Sequence, residues 1–102
     1  MDTPAVYHCP ACGFELNGPP WRGEDPSWNI CPCCGIEFGY DEYDSEFFDR
    51  REEFADEAQY REAFYRDWRA RWRAAGCPWW SKQEGPPAGW SPEDQLARRG
   101  WT

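Results

Sequence analysis

Aromatic residues recur with a helical period in the middle of the chain. They are Tyr60, Phe64, Trp68 and Trp72. Side chains four residues apart lie along one side of an α-helix, so this spacing predicts a helix with an aromatic face. Asp56 and Gln59 resemble a capping box at its start, and Gly76 predicts its end after Ala75.

A second helical stretch is predicted just before this helix. Ser45 is a suitable N-cap for a stretch over 46–55. The sequence leaves open whether 46–75 forms one helix with a kink near 55–58 or two separate helices.

The C-terminal part of the chain predicts one more helix. Ser91 is a favoured N-cap residue, and Pro92 suits the first turn. We expect this helix to cover 92–99 and to end at Gly100.

Short apolar pieces near the N-terminus predict strands, because each is brief and borders a turn. They are Val6–His8, Phe14–Leu16, Trp28–Ile30 and Ile36–Tyr40. The segment 18–26 is rich in Gly and Pro and is interpreted as a loop. Strands followed by helices predict a small α+β fold.

The length of the chain suits a single domain over residues 1–102. Within it, three subregions differ in composition. Residues 6–40 carry most of the cysteines, 41–76 are acidic and aromatic, and 77–102 are rich in Trp and Pro. A domain of this size buries a modest core, so a covalent or metal staple would help it to fold.

The charge balance narrows the classes of partner. The chain has 11 basic and 19 acidic residues, which gives a formal net charge of −8. Nucleic-acid phosphates repel such a chain, so we expect no nucleic-acid partner. A protein partner with a basic surface is compatible with this charge. Aromatic residues make up 19% of the chain, which favours a folded protein over a disordered acidic tail.

The N-terminal residues predict a cytoplasmic protein. They lack the basic and apolar regions of a secretory signal, and no apolar run is long enough to span a membrane. Thiols stay reduced in the cytoplasm, where paired cysteines bind metal more often than they form disulfides.

Four of the six cysteines form an internal repeat. Cys9 and Cys12 enclose Pro-Ala, Cys31 and Cys34 enclose Pro-Cys, and a Gly follows each pair. The separation of the two pairs fits a common zinc-binding pattern. A turn with two intervening residues lets both sulfurs reach one ion at about 2.3 Å. The four cysteines are therefore predicted to bind one Zn2+.

Four thiolate ligands would form a closed site without an open position for water or substrate, which predicts a structural role for the metal. Iron in the same site, as in rubredoxin, is the alternative cofactor. Disulfides or a redox-active dithiol are further alternatives. The Gly- and Pro-rich surroundings supply no βαβ unit for a thioredoxin-like motif.

Three more residues carry a thiol or an imidazole that could bind metal or react. Cys33 is interpreted as a bystander thiol, because its use in place of Cys34 would break the repeat. Cys77 is interpreted as a small apolar core residue. His8 is interpreted as a strand residue beside the site. A thiol sensor that uses Cys33 or Cys77 is an alternative function.

Two surfaces are candidates for binding a partner. The acidic one contains Asp41, Glu42, Asp44, Glu46, Asp49, Glu52, Glu53, Asp56 and Glu57. The simpler interpretation of these residues is a solvated helix face and loop. The Trp-rich one contains Trp68, Trp72, Trp79, Trp80 and Trp90. Trp is common at interfaces, but we expect most of these side chains to lie in the core.

The sequence contains no recognisable catalytic set. Its single His lies beside a cysteine, its Ser residues have no paired base, and no phosphate-binding Gly loop is present. The favoured function is therefore a zinc-stabilised, non-enzymatic protein-interaction module, with an acidic antagonist or immunity-type binder as a special case. An iron electron carrier is the alternative.

The paired Cys-Pro-x-Cys-Gly turns, with Ile36-Glu37-Phe38-Gly39-Tyr40 after the second, resemble small uncharacterised bacterial proteins of the cysteine-rich CPCC type. The similarity extends to Trp79-Trp80-Ser81, Pro86-Pro87 and Gly89-Trp90. This resemblance implies a zinc-ribbon-like N-terminal half with four Cys ligands. It implies no biochemical activity.

Overall fold

The chain begins with a short hairpin around the first cysteine pair. The computed structural model describes residues 5–101. Strand β1 (Tyr7–His8) pairs antiparallel with β2 (Glu15–Leu16). Both strands lie within stretches predicted to be extended, although each is only two residues long. Such short strands contribute few ladder hydrogen bonds, so this hairpin depends on contacts outside it.

A second hairpin lies within the segment 18–26, which we interpreted as a loop. Strand β3 (Trp21–Arg22) pairs antiparallel with β4 (Asp25–Pro26). The two-residue turn between them begins with Gly23, whose φ is 62°. Gly at the first central position is typical of a tight hairpin turn. This glycine was the signal that could have predicted the hairpin.

The strands predicted around the second cysteine pair are wrong in extent. Only one isolated bridge forms, between Ile30 and Glu37. Trp28 has a φ of 63° and Gly39 has a φ of 99°, so both flanking segments leave the extended conformation near this bridge.

The helical middle of the chain contains two separate elements. A 3-10 helix spans Glu46–Glu53 and helix α1 spans Glu57–Ala74. Asp56 caps α1, since its side chain accepts a hydrogen bond from the Gln59 backbone N–H at 2.9 Å. The Gln59 side chain accepts in return from the backbone N–H of Ala55 at 3.3 Å. The predicted capping interaction therefore holds, and it separates the two helices.

Both helix ends that were predicted from glycine are observed within one residue. Helix α1 ends at Ala74, and Gly76 follows with a φ of 93°. Helix α2 spans Pro92–Arg98, with the Ser91 side chain accepting from the Asp94 backbone N–H. These short-range signals were sufficient because a helix begins or ends through hydrogen bonds and backbone angles within about one turn of its terminus.

The aromatic face of α1 is confirmed as the centre of the core. Tyr60, Phe64 and Trp72 are buried, and Trp68 packs partly buried beside them. The same core contains the cysteines of both turns, Ile36, Phe38 and Leu96. The core therefore joins all three subregions. Among the residues that the structure describes, no helix has the length and apolar character required to cross a membrane.

A buried carboxylate connects the end of the second cysteine region to α1. Glu42 is fully buried and accepts hydrogen bonds from the Gly39 backbone N–H at 2.9 Å and the Tyr65 hydroxyl at 2.6 Å. The Trp21 indole N–H donates to the same hydroxyl at 2.7 Å. Burial raises the pKa of Glu42 above its ordinary value. This residue is the exception to the solvated interpretation of the acidic stretch.

Candidate metal centre

The two cysteine pairs form turns with the same local geometry. We define the first cysteine turn as 9–13 and the second as 31–35. The Gly13 backbone N–H donates to the Cys9 carbonyl at 2.8 Å, and the Gly35 N–H donates to the Cys31 carbonyl at 2.8 Å. These glycines have φ values of 88° and 81°. The left-handed conformation explains the Gly after each pair, because a side chain is strained there.

A second hydrogen bond closes each turn. The Cys9 backbone N–H donates to the Phe14 carbonyl at 2.8 Å, and the Cys31 N–H donates to the Ile36 carbonyl at 2.9 Å. The sequence repeat is therefore a structural repeat, in which a short extended segment enters and leaves each turn.

The two turns bring four sulfur atoms together. The Sγ atoms of Cys9, Cys12, Cys31 and Cys34 all lie within 4.8 Å of one another. Cys9 Sγ lies 3.8 Å from Cys34 Sγ, and Cys12 Sγ lies 3.7 Å from Cys31 Sγ. A tetrahedron with metal–sulfur bonds of about 2.3 Å has edges of about 3.8 Å. The four sulfurs could therefore hold one metal ion, and both distances are far longer than a disulfide bond of about 2.05 Å.

Burial and mutual proximity make it costly for these four cysteines to carry negative charge without a cation between them. All four cysteines are buried. The hydrogen bond with the Cys31 sulfur, the other neighbouring sulfurs and burial raise the pKa of Cys12 well above its ordinary value. The same hydrogen bond lowers the pKa of Cys31. Four thiolates at these distances require a cation between them, and a divalent metal would supply that charge.

An arginine from helix α1 stabilises the first cysteine turn. Arg69 donates from Nε to the Ala11 carbonyl at 2.8 Å and from Nη2 to the Pro10 carbonyl at 3.0 Å. Its guanidinium lies 3.6 Å from the ring centroid of Trp101. Burial lowers the pKa of Arg69. This cation lies beside a site that becomes negatively charged when four thiolates bind a divalent ion.

A glutamine from helix α2 contacts both turns. The side chain of Gln95 is buried, and its Nε2 donates to the Cys12 carbonyl at 2.9 Å and lies 3.5 Å from Cys33 Sγ. Its Oε1 accepts from the Trp90 indole N–H at 2.8 Å. The whole amide is thus hydrogen-bonded, which fixes its orientation beside the metal site.

The second cysteine turn is held by the segment that follows α1. The backbone N–H groups of Trp80 and Ser81 donate to the carbonyls of Cys33 and Pro32, each at 2.9 Å. The Trp80 ring lies directly over Gly35, and a Cβ atom built there would lie 2.3 Å from Trp80 Cδ1. The close approach of the indole is a second reason for glycine at this position.

Three other residues considered in the sequence lie outside the group of four sulfurs. Cys33 is fully buried but lies outside the group of four sulfurs, at the position that Ala11 occupies in the first turn. Cys77 packs partly buried against the core, with burial as the main cause of a raised pKa. His8 lies in β1 opposite Glu15. Among residues 5–101, the group that could bind a metal contains these four cysteines alone.

The two predicted partner surfaces have different environments. Apart from Glu42, the acidic stretch is exposed or half-buried. Of the five tryptophans, Trp72 is buried, Trp68, Trp79 and Trp90 pack partly buried against the core, and Trp80 is 52% exposed. The expectation that most of these tryptophans belong to the core is confirmed.

Sequence reasoning missed Arg69 and Gln95 as residues that support the site. Arg69 falls within the predicted helical stretch 46–75 and Gln95 within the predicted helix 92–99, and neither belongs to a recognisable motif. They lie 58 and 83 residues from the carbonyls of Ala11 and Cys12 that they bind. No local pattern in the sequence reports contacts at such separations.

Comparison with known proteins gives one partial similarity. The chain is 46% identical over 39 residues to the uncharacterized protein YoaQ of Bacillus subtilis (strain 168). The aligned part covers 35% of this chain and 33% of the Bacillus protein, so the chain spans about a third of that protein's length. No family model matches the chain, and no solved structure matches it.

Proposed function

We propose that this protein is a zinc-stabilised, non-enzymatic module that binds another protein. Cys9, Cys12, Cys31 and Cys34 are the ligands of one Zn2+, and they order a zinc-ribbon-like N-terminal half. The main support is the buried group of four sulfurs, whose shortest contacts of 3.7 and 3.8 Å fit the edges of a tetrahedral site. Four protein ligands leave no coordination position for a substrate, which favours a structural metal.

Exposed apolar residues around the second cysteine turn support a protein partner. They are Trp28, Ile30, Tyr40 and Trp80, with exposures of 60%, 44%, 50% and 52%. Isolated exposed apolar residues are common, but large aromatic side chains are favoured in the centres of interfaces.

The charge near these residues indicates a basic partner. Ile30 and Trp80 line a groove of about 460 Å³ whose walls include Glu15 and Glu84. The lining residues include no Lys or Arg. Together with the net charge of −8, this favours a partner that combines basic and apolar side chains. An acidic antagonist or immunity-type protein that covers a basic target would be a special case.

The test is affinity capture with the metal-loaded protein in its native organism, followed by binding measurements with each captured protein. We expect a partner whose association slows as salt is added and whose binding is lost in Trp80→Ala. Val6→Ala is the matched control, because Val6 is also exposed, at 58%, but does not line the groove. If the partner bound Trp80→Ala and Val6→Ala with the same affinity as the unchanged protein, the proposal that it binds at this groove would be wrong.

Iron is the second candidate metal, since tetrahedral iron has similar distances to four thiolates. An iron electron carrier would be red after purification and would bleach on reduction. We expect instead a colourless protein with one zinc per chain in elemental analysis. Stoichiometric iron in freshly purified protein would favour the electron carrier.

A further inference from the structure

A cluster of basic side chains lies beside the first cysteine turn, although the chain as a whole is acidic. A pocket of about 530 Å³ is lined by Arg61, Arg66, Arg69 and Arg99, together with His8. The chain has only ten arginines and a net charge of −8, so four of the ten converge on one pocket. We call it the arginine pocket. Its lining includes a single carboxylate, that of Glu62.

Most of these guanidinium groups have no carboxylate partner. Arg66 pairs with Glu62 at 3.3 Å. Within residues 5–101, Arg61, Arg69 and Arg99 form no ion pair with an acidic side chain. Like charges that share a pocket repel one another, and an anion between them would relieve this repulsion.

The arginines are also held in place before any ligand binds. The guanidiniums of Arg69 and Arg99 both face Trp101, at 3.6 and 5.6 Å from its ring centroid. Arg69 uses two of its five N–H donors on the carbonyls of Pro10 and Ala11, which leaves the other N–H groups for a ligand. Arg61 is fixed over the Trp21 ring at 4.1 Å. Donors that are already ordered lose little entropy when they bind.

We propose that the arginine pocket binds a small phosphate-type oxyanion that carries at least two negative charges. The planar guanidinium fork matches the oxygens of phosphate better than a point charge does. The pocket is lined by residues of β1, α1 and the segment after α2, so an anion there would connect the first cysteine turn to α1 and to Arg99. This site is separate from the groove assigned to the protein partner and does not depend on that assignment.

The test is calorimetric titration of the zinc-loaded protein with inorganic phosphate, pyrophosphate and citrate at constant, near-physiological ionic strength. Zinc content is measured before and after, because pyrophosphate and citrate also bind divalent cations. We expect saturable binding of one pyrophosphate per chain, with phosphate weaker and citrate weakest. Tryptophan fluorescence should report the same saturation through Trp101.

Two substitutions test whether pyrophosphate binds in the arginine pocket or is attracted non-specifically by positive charge. Arg99→Gln and Arg61→Gln should each weaken pyrophosphate binding about tenfold or more, as expected for the loss of a charged hydrogen bond. Arg71→Gln removes the same charge from a residue outside the pocket that pairs with Asp67, and it should leave the affinity unchanged. No saturable binding, or equal weakening by all three variants, would overturn the proposal. So would citrate binding as tightly as pyrophosphate, because that would exclude phosphate chemistry as the basis of selection.

Discussion

The two cysteine turns have the same internal hydrogen bonds but are held by different parts of the chain. In the first turn, the carbonyl groups of Pro10, Ala11 and Cys12 accept hydrogen bonds from the side chains of Arg69 and Gln95. In the second turn, the carbonyls of Pro32 and Cys33 accept from the main chain of the segment that follows α1. The same local motif is thus stabilised by side chains in one copy and by backbone in the other.

The two kinds of support make the two turns sensitive to different substitutions. A side-chain hydrogen bond is lost with one substitution, whereas a backbone hydrogen bond survives most substitutions as long as the chain keeps its path. The second turn has a different weakness, because the Trp80 ring packs against Gly35 at a distance that leaves no room for a Cβ atom. Substitutions in and around the two turns can therefore test the comparison directly.

Loss of a predicted ligand should have the largest effect and should not distinguish the turns. We expect Cys12→Ser and Cys34→Ser each to lose the metal and to unfold the N-terminal half. Zinc ligation supplies on the order of 10 kcal/mol in small zinc-binding domains, so the loss exceeds what the short hairpins can offset. Elemental analysis and thermal melting measure both effects.

The control for this experiment is Cys33→Ala, which gives the second turn the residue found at the equivalent position of the first. It should retain one metal per chain and melt close to the unchanged protein. A ligand variant that contains no metal but melts normally would show that the four sulfurs are not what orders this half.

Adding a methyl group to each turn's glycine should distinguish the turns. Both glycines have positive φ, so Gly13→Ala and Gly35→Ala each incur a backbone cost of about 1–2 kcal/mol. Gly35→Ala should cost a further 1–3 kcal/mol or so by overpacking against the Trp80 ring. The added Cβ of Gly13→Ala meets the flexible Arg99 stem first, at 2.9 Å. Urea unfolding measures the difference.

The double variant Gly35→Ala/Trp80→Ala should recover part of the additional cost, because it removes the ring that causes the clash. Equal destabilisation by the two glycine substitutions would show that the Trp80 ring imposes no additional constraint on the second turn.

The smallest effect is expected from the residues that hold the turns from outside. Gln95→Ala removes the hydrogen bond to the Cys12 carbonyl and leaves the Trp90 indole N–H without this acceptor, so it should destabilise the fold by about 1–3 kcal/mol. Ser81→Ala keeps the backbone N–H that donates to the second turn, and it should cost less than about 1 kcal/mol. Chemical denaturation of metal-loaded protein compares the two. If Ser81→Ala proved as damaging as Gln95→Ala, the distinction between side-chain and backbone support would be wrong.

Short-range chemistry made several parts of this structure predictable. The capping of α1 by Asp56, the start of α2 at Ser91 and the helix end near Gly76 all follow from groups within one helical turn of each other. The repeated spacing of the cysteines was enough to select the four sulfurs that meet, because each turn is a local structure and the Cys33 alternative breaks the repeat.

The remaining features were decided by the tertiary structure. Trp28 adopts a positive φ at the start of the predicted strand, and only Ile30 of that strand pairs, with Glu37. Glu42 is buried against Tyr65 of α1, whereas its acidic neighbours suggested a solvated position. At Glu42, hydrogen bonds from the Gly39 backbone N–H and from the distant Tyr65 hydroxyl offset the cost of burying the carboxylate.

The sequence alone was enough to identify which four cysteines meet, which face of α1 is aromatic and which residues cap the two α-helices. Only the folded chain brings Arg69 and Gln95 to the first turn, stacks Trp80 on Gly35 and gathers four arginines around one pocket. The difference arises from separation along the sequence. A hydrogen bond within one turn depends on neighbouring residues, whereas these long-range contacts depend on the packing of the aromatic core, which places α1 and α2 against the cysteine turns.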